Sequence, residues 1–129
     1  MINSEINNKI MKRETGNRIV DLTFEFALSI IKFSEKLEQE KKYVIAKQLI
    51  KSGTSVGANV SEAQNSESKI DFIHKLKIAA KEAEETEYWL LLCKYSDNYP
   101  IEEALLIKII EIKRLLTSII NSSKKNLNK

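Results

Sequence analysis

A chain of 129 residues has length for one domain with a single compact core and is too short for two. Three Gly and one Pro leave few places for tight turns, and the abundance of Leu, Ile, Lys, Glu and Ala points to an all-helical protein rather than a sheet. Charged residues make up 30% of the chain with both signs mixed, and the formal net charge is only +3, so composition alone carries no strong polyanion-binding bias.

A polar N-terminal arm, residues 1–16, precedes a first helix predicted over 17–39, with Asn17 suited to the N-cap. Ile19, Leu22, Phe26, Ile30, Phe33 and Leu37 follow helical spacing on one face, and Val20, Phe24, Ala27, Leu28 and Ile31 form a second apolar stripe beside it. Together the stripes cover about 240° of the helix, more than the outside of a monomeric bundle requires, which predicts a second partner.

The second helix, predicted over 42–65, contains Ser52-Gly-Thr-Ser-Val-Gly-Ala-Asn-Val-Ser-Glu-Ala-Gln64. Ile45, Leu49, Val56, Val60 and Ala63 keep helical spacing through it, yet Gly53 and Gly57 each cost about 1 kcal/mol relative to Ala in a helix interior. The two glycines stand one turn apart with Ala46 on the same stripe, which predicts close approach of another backbone. Beside that stripe Gln48, Ser52, Ser55, Asn59, Glu62 and Ser66 make a polar ridge.

Ser68-Lys-Ile-Asp71 resembles a capping box and opens a third helix predicted over 69–96, whose core face reads Phe72, Leu76, Ala79, Ala83, Leu90 and Leu91. Glu87 projects inside that apolar arc and needs a polar partner or an exit to solvent. Asp97-Asn98-Tyr99-Pro100 then breaks the chain, and a fourth helix is predicted over 100–122 with Pro100 at its first position. Ile101, Leu105, Ile109, Ile112, Leu116 and Ile119 line one face of it, while Leu106, Ile107 and Ile110 fall outside. A basic tail, 123–129, follows. Short connections between four helices of similar length predict an antiparallel up-down-up-down four-helix bundle over 17–122. The surplus apolar residues Val20, Phe24, Ile31, Leu106 and Ile110 are the expected oligomer interface. No signal peptide or membrane-length apolar run is read in the chain, and Cys93 is its only cysteine, so a cytoplasmic protein without a membrane partner is expected.

Asp21-Leu-Thr-Phe-Glu-Phe-Ala27, Lys47-Gln-Leu-Ile-Lys-Ser-Gly-Thr-Ser-Val-Gly-Ala-Asn-Val-Ser-Glu-Ala-Gln64 and Asp71-Phe-Ile-His-Lys-Leu-Lys-Ile-Ala-Ala-Lys-Glu-Ala-Glu-Glu-Thr-Glu-Tyr-Trp-Leu90 resemble the four-helix-bundle proteins related to the 23S ribosomal RNA intervening-sequence proteins. The resemblance spans residues 18 to 120. It implies an antiparallel bundle assembled as a homopentameric ring, without enzymatic activity. It also implies an association with RNA or DNA, because some members lie within ribosomal RNA genes and a similar bundle is a nucleic-acid-binding accessory to reverse transcriptases. The family's recurring polar positions map to Ser55, Asn59, Glu62, Glu85 and Thr86. The better-known branch has Pro within the second motif and an Arg-rich turn before it. Gly57 and Ile50-Lys51 stand there in this chain, so a role resting on that arginine pair is not carried over.

Glu62, Glu85 and Asn59 are the residues a small-ligand site or an enzyme would use, since carboxylates near an apolar core can serve acid–base chemistry. A hydrogen-bonded seam between helices is the favoured reading of the same residues. His74 has no second histidine or cysteine beside it to make a metal site, and Cys93 has no histidine at a fixed spacing to activate it, so no metal, cofactor or catalytic residue is assigned. Trp89 reads as a packing residue. Basic residues that could meet nucleic-acid phosphates are Lys41, Lys42, Lys47 and Lys51 on the second helix, Lys69, Lys75, Lys77 and Lys81 on the third, and Lys124, Lys125 and Lys129 in the tail. Nearly as many carboxylates surround them, and only repetition around a ring would make such patches multivalent. The expected function is therefore a non-enzymatic homo-oligomeric scaffold associated with nucleic acid.

Overall fold

In the computed structural model, which describes residues 14–127, four helices follow one another: α1 (Arg18–Gln39), α2 (Tyr43–Ala63), α3 (Lys69–Tyr95) and α4 (Glu103–Leu127). No strand occurs among the described residues. Most of the expected arm, residues 1–13, and the last two residues of the tail lie outside the described residues.

Each boundary has a local cause. Gly16 has φ +85, and the turn it makes lets Thr15 donate its backbone N–H and its hydroxyl to the Asp21 carboxylate at 2.7 to 3.0 Å. Asn17 occupies the N-cap in extended conformation but makes no side-chain cap hydrogen bond; its amide donates instead to Gln64 Oε1 at 3.1 Å, tying the start of α1 to the end of α2. At the other end of α1, Lys41 N donates to Glu38 O at 2.9 Å and Lys42 N to Leu37 O at 2.8 Å. That pair of bonds is a Schellman motif, and it holds Lys41 at φ 64. Ser68 caps α3 as its sequence predicts, with Oγ accepting from Asp71 N at 3.0 Å.

The fourth helix begins three residues later than Pro100. Pro100 is buried, Tyr99 packs against the core, and Lys42 Nζ sits 4.6 Å from the Tyr99 ring centroid, so these contacts hold the chain non-helical as far as Glu102. Ile101 consequently faces solvent instead of starting the core face. The helix then continues to Leu127, so Ser123 to Leu127 of the expected tail are helical.

Cross-helix partners give the topology. Along α1 and α2, Asn17 meets Gln64, Thr23 lies against Gly57 and Ile30 against Gly53. Along α3 and α4, Lys94 pairs with Glu103, Glu87 with Lys113, and His74 and Lys77 share a cleft with Lys124. Ser52 meets Thr86 across α2 and α3, with Ala63 and Phe72 sharing a cleft at the other end of that pair. Arg18 pairs with Glu111 while Phe26 and Ser29 border a cleft with Leu105 and Lys108 across α1 and α4. In every pair residue numbers rise on one helix as they fall on the other, which makes the bundle up-down-up-down.

The predicted stripe of α1 is buried throughout, and Phe26, Ile30, Phe33 and Leu37 keep 1% exposure or less. On α3 the buried arc is Ile73, Leu76, Ala79, Ala83, Thr86, Leu90 and Cys93, so Phe72 is only half-buried and Leu91 faces outward. Gly53 and Gly57 sit at the α1–α2 contact. A Cβ at Gly53 would lie 2.8 Å from both γ carbons of Ile30, and one at Gly57 would lie 3.2 Å from the Thr23 carbonyl oxygen. Close backbone approach therefore accounts for two residues that weaken the helix on their own.

The surplus apolar residues do not form the face expected of them. Val20 and Leu106 are buried within the single chain, at 8% and 7% exposure. Val20 and Ala27 flank Thr23 at i−3 and i+4, on the side of α1 turned to α2, where Phe24 and Ile31 border them. Leu106 and Ile110 lie at i−7 and i−3 from Lys113, on the side of α4 turned to α3. Neighbouring helices thus cover much of what the helical wheel left over, and the remainder is divided between two separate edges. Of the five expected interface residues, Ile31 at 39% and Ile110 at 37% stay exposed, while Phe24 is half-buried.

Candidate functional site

The polar ridge of α2 spends its hydrogen bonds locally. Ser55 Oγ donates to Lys51 O at 2.6 Å, and Asn59 Nδ2 donates to Ser55 O at 2.9 Å, both one turn back on the same helix. Thr86 is fully buried; its hydroxyl donates to Glu82 O at 2.7 Å and is hydrogen-bonded with the Ser52 hydroxyl at 3.0 Å, the one link from this group across to α2. Glu62 and Glu85 are exposed, and Glu85 accepts from Trp89 Nε1 at 3.3 Å. The five positions therefore divide into a buried Ser52–Thr86 seam and an outer row. They do not wall the clefts at Ala63–Phe72, Gly16–Glu25, Ile70–Leu127 and Glu25–Lys108.

Glu87 has the polar partner its position demands. Lys113 Nζ lies 2.5 Å from Glu87 Oε1 and 2.7 Å from Glu84 Oε1, bridging α4 to α3. Burial pushes the Lys113 ammonium toward deprotonation, but hydrogen bonds to Glu84 and Glu87 and the charge of both carboxylates outweigh it, leaving the group above its usual 10.5. Cys93 is 1% exposed, and burial pushes its thiol up to about 11, the reverse of what a nucleophile needs. His74 is exposed. Among the described residues no three His, Cys, Asp or Glu side chains come together as metal ligands, and no helix is long and apolar enough to cross a membrane.

Eight of the candidate lysines, those of the second and third helices, fall into two groups. Lys41, Lys42, Lys47 and Lys51 lie at the start of α2, and Lys69, Lys75, Lys77 and Lys81 at the start of α3. Because the helices are antiparallel, these starts are at opposite ends of a bundle about 30 Å long. The first group shares its turn with Glu38 and Glu40, and Lys42 is engaged with Tyr99. Of the second, Lys77 shares a cleft with Lys124 in the last turn of α4, where Lys124 and Lys125 are exposed, while Lys69 borders Ala63 and Gln64 at the end of α2. Over residues 69–81 and 117–127, which the Lys113–Glu84 and Lys124–Lys77 neighbours set level with each other, six Lys stand with one acid, Asp71, a net +5 in a chain whose total is +3, so everything else is net −2. Folding thus concentrates a charge that composition hides.

A second feature is apolar. Tyr88, Leu91, Leu92 and Tyr95 recur at i, i+3, i+4 and i+7 on the last turns of α3 and are 56%, 36%, 36% and 77% exposed. Tyr43 and Val44, also exposed, begin α2 at the same end. The helical spacing of this ridge is its sequence signal, masked by Leu90 and Cys93, which share the segment and point inward.

Fold and contacts together define an all-α, up-down-up-down four-helix bundle. The model of the 23S rRNA-intervening sequence protein family matches residues 16–118, and the chain belongs to that family. It is also similar to the crystal structure of a protein of unknown function from the S23 ribosomal protein family of Bacteroides thetaiotaomicron, at 45% identity and a TM-score of 0.75, over 79% of this chain and 97% of that one. A search of curated proteins finds no match.

Proposed function

We propose that this protein is a non-catalytic, self-assembling bundle that holds RNA, or another nucleic acid, on the basic face formed by the start of α3 and the end of α4. The observation that carries the reading is the charge segregation: a net +5 over 69–81 and 117–127, with a single acid among these residues. Ammonium and guanidinium groups on such a face displace counterions from a phosphate backbone, a sequence-independent source of affinity. The family name, which refers to insertions in ribosomal RNA, agrees with that partner class.

Self-assembly supplies what one copy lacks. Tyr88, Leu91, Leu92 and Tyr95 on α3, with Ile31 and Ile110 at the other edges, are among the exposed apolar residues available for contacts between copies. A head-to-tail contact between unlike edges closes into a ring or runs on as a fibre, and the ring is the form the family resemblance implies. Five basic faces on one ring bind a long polyanion with an avidity that can exceed single-site affinity by about 10² or more. Purifying the native protein under mild salt, sizing it by light scattering and sequencing the nucleic acid that travels with it tests both parts. The expected result is an oligomer carrying RNA; a monomer free of nucleic acid at micromolar concentration contradicts both.

A further inference from the structure

Between the first turns of α3 and the last turn of α4 lies a cleft of about 290 Å³ walled by Ile70, Ile73, His74, Lys77, Lys124 and Leu127. Its walls are of two kinds. Ile73 is buried at 5% exposure, and with Ile70 and Leu127 it makes an apolar wall. Lys77, Lys124 and His74 provide the polar groups, drawn from two helices, and none of the six residues carries a carboxylate. The nearest acid in sequence, Asp71, is half-buried in the capped first turn of α3.

A phosphodiester passing along a groove carries one charge and needs no apolar surface. A phosphomonoester carries about −1.5 to −2 near neutral pH and offers three acceptor oxygens. Two ammonium groups and an imidazole N–H grouped beside an apolar wall suit the second ligand better, because the wall has room for the ribose or base attached to that phosphate. Lys81 stands one turn beyond Lys77 on α3 and leads away from the cleft along the basic face. A strand lying on that face would therefore have one terminus at the cleft.

We propose that this cleft receives a terminal phosphomonoester of the bound nucleic acid, with Lys77 and Lys124 on the phosphate and Ile70, Ile73 and Leu127 against the terminal nucleoside. The proposal rests on the nucleic-acid reading above and adds to it a preference for phosphorylated ends. The test is binding of the full chain to one single-stranded RNA of fixed sequence made with a 5′-phosphate, with a 3′-phosphate and with hydroxyls at both ends. We expect one phosphorylated form to bind at least about fivefold tighter than the hydroxyl form, the two arms telling which end is read. Lys124→Ala, at an exposed position that folding does not depend on, removes the preference. Lys81→Ala weakens all three RNAs alike and leaves the preference in place. Equal binding of all three RNAs, still weakened by salt, overturns the end-recognition proposal and leaves the nucleic-acid reading standing. Absence of binding to any of them overturns both.

Discussion

Gly53 and Ile30 show how one atom decides a helix contact. Ile30 is fully buried and β-branched, so its γ carbons cannot move aside for a Cβ placed 2.8 Å away. Gly53→Ala gains about 1 kcal/mol of helix propensity but overpacks by about 1–3 kcal/mol, and a net loss of about 1 kcal/mol is expected in urea unfolding. Ile30→Ala in the same chain should reduce that loss, because the two residues touch and their effects are not additive. At Gly57 the close neighbour is backbone, so Gly57→Leu has nowhere to go and should cost about 1–3 kcal/mol. Titration adds a second expectation. Lys113 and Cys93 both have folded pKa values above their ordinary 10.5 and 9.0, so each favours the folded state fully below its ordinary value, and that contribution is lost as pH climbs through the folded one. Thermal midpoints measured from pH 8 to 11 should therefore fall from about pH 9 upward as far as Cys93 contributes, and Cys93→Ala should flatten the early part of that fall. A wild-type stability that rises over this range would contradict the assignment.

At the scale of the element, the sequence showed where helices exist more clearly than where they stop. The apolar stripe of α1 and the Ser68 cap of α3 depend on spacing within one segment, and both are found as read. Asn17 was placed at the right position with the wrong bond, because its partner Gln64 is 47 residues away. Pro100 marked a break but not the first helical residue, because Tyr99 and Pro100 are held by the core. The turn between α1 and α2 carried no glycine signal at all, and Lys41 takes the left-handed conformation there. A lysine in that region costs about 1 kcal/mol or more relative to glycine. Lys41→Gly should therefore raise stability by about 1 kcal/mol, read as a higher denaturation midpoint with unchanged slope. Ser68→Ala should lower it by a similar amount, about 1 kcal/mol, through the lost cap.

For the whole molecule, the up-down-up-down bundle was legible from four amphipathic segments and short connections, whereas the surfaces between elements were not. A helical wheel counts apolar residues around one helix and is blind to which neighbour covers them. Val20 and Leu106 therefore looked available for a partner copy and are instead closed off inside one chain. The exposed ridge Tyr88–Tyr95 went unrecognised for the converse reason, since alternate members of that segment serve the core. Charge behaves in the same way: a balanced +3 divides into a net +5 over 69–81 and 117–127 and a net −2 remainder once α3 and α4 lie antiparallel. The small-residue motif of α2, the most distinctive stretch of the sequence, serves packing against α1 and the Ser52–Thr86 seam.

That basic face is tested most directly by RNA affinity as a function of salt, in the wild type and in the double charge reversal Lys77→Glu, Lys124→Glu. A single-stranded site engaging about three phosphates per chain loses roughly 20-fold in affinity between 50 and 200 mM salt. The account predicts such a loss for the wild type, with binding and its salt dependence both greatly reduced in the reversed variant while light scattering reports the same particle size. Undiminished binding by the reversed variant, or wild-type affinity indifferent to salt, would contradict it.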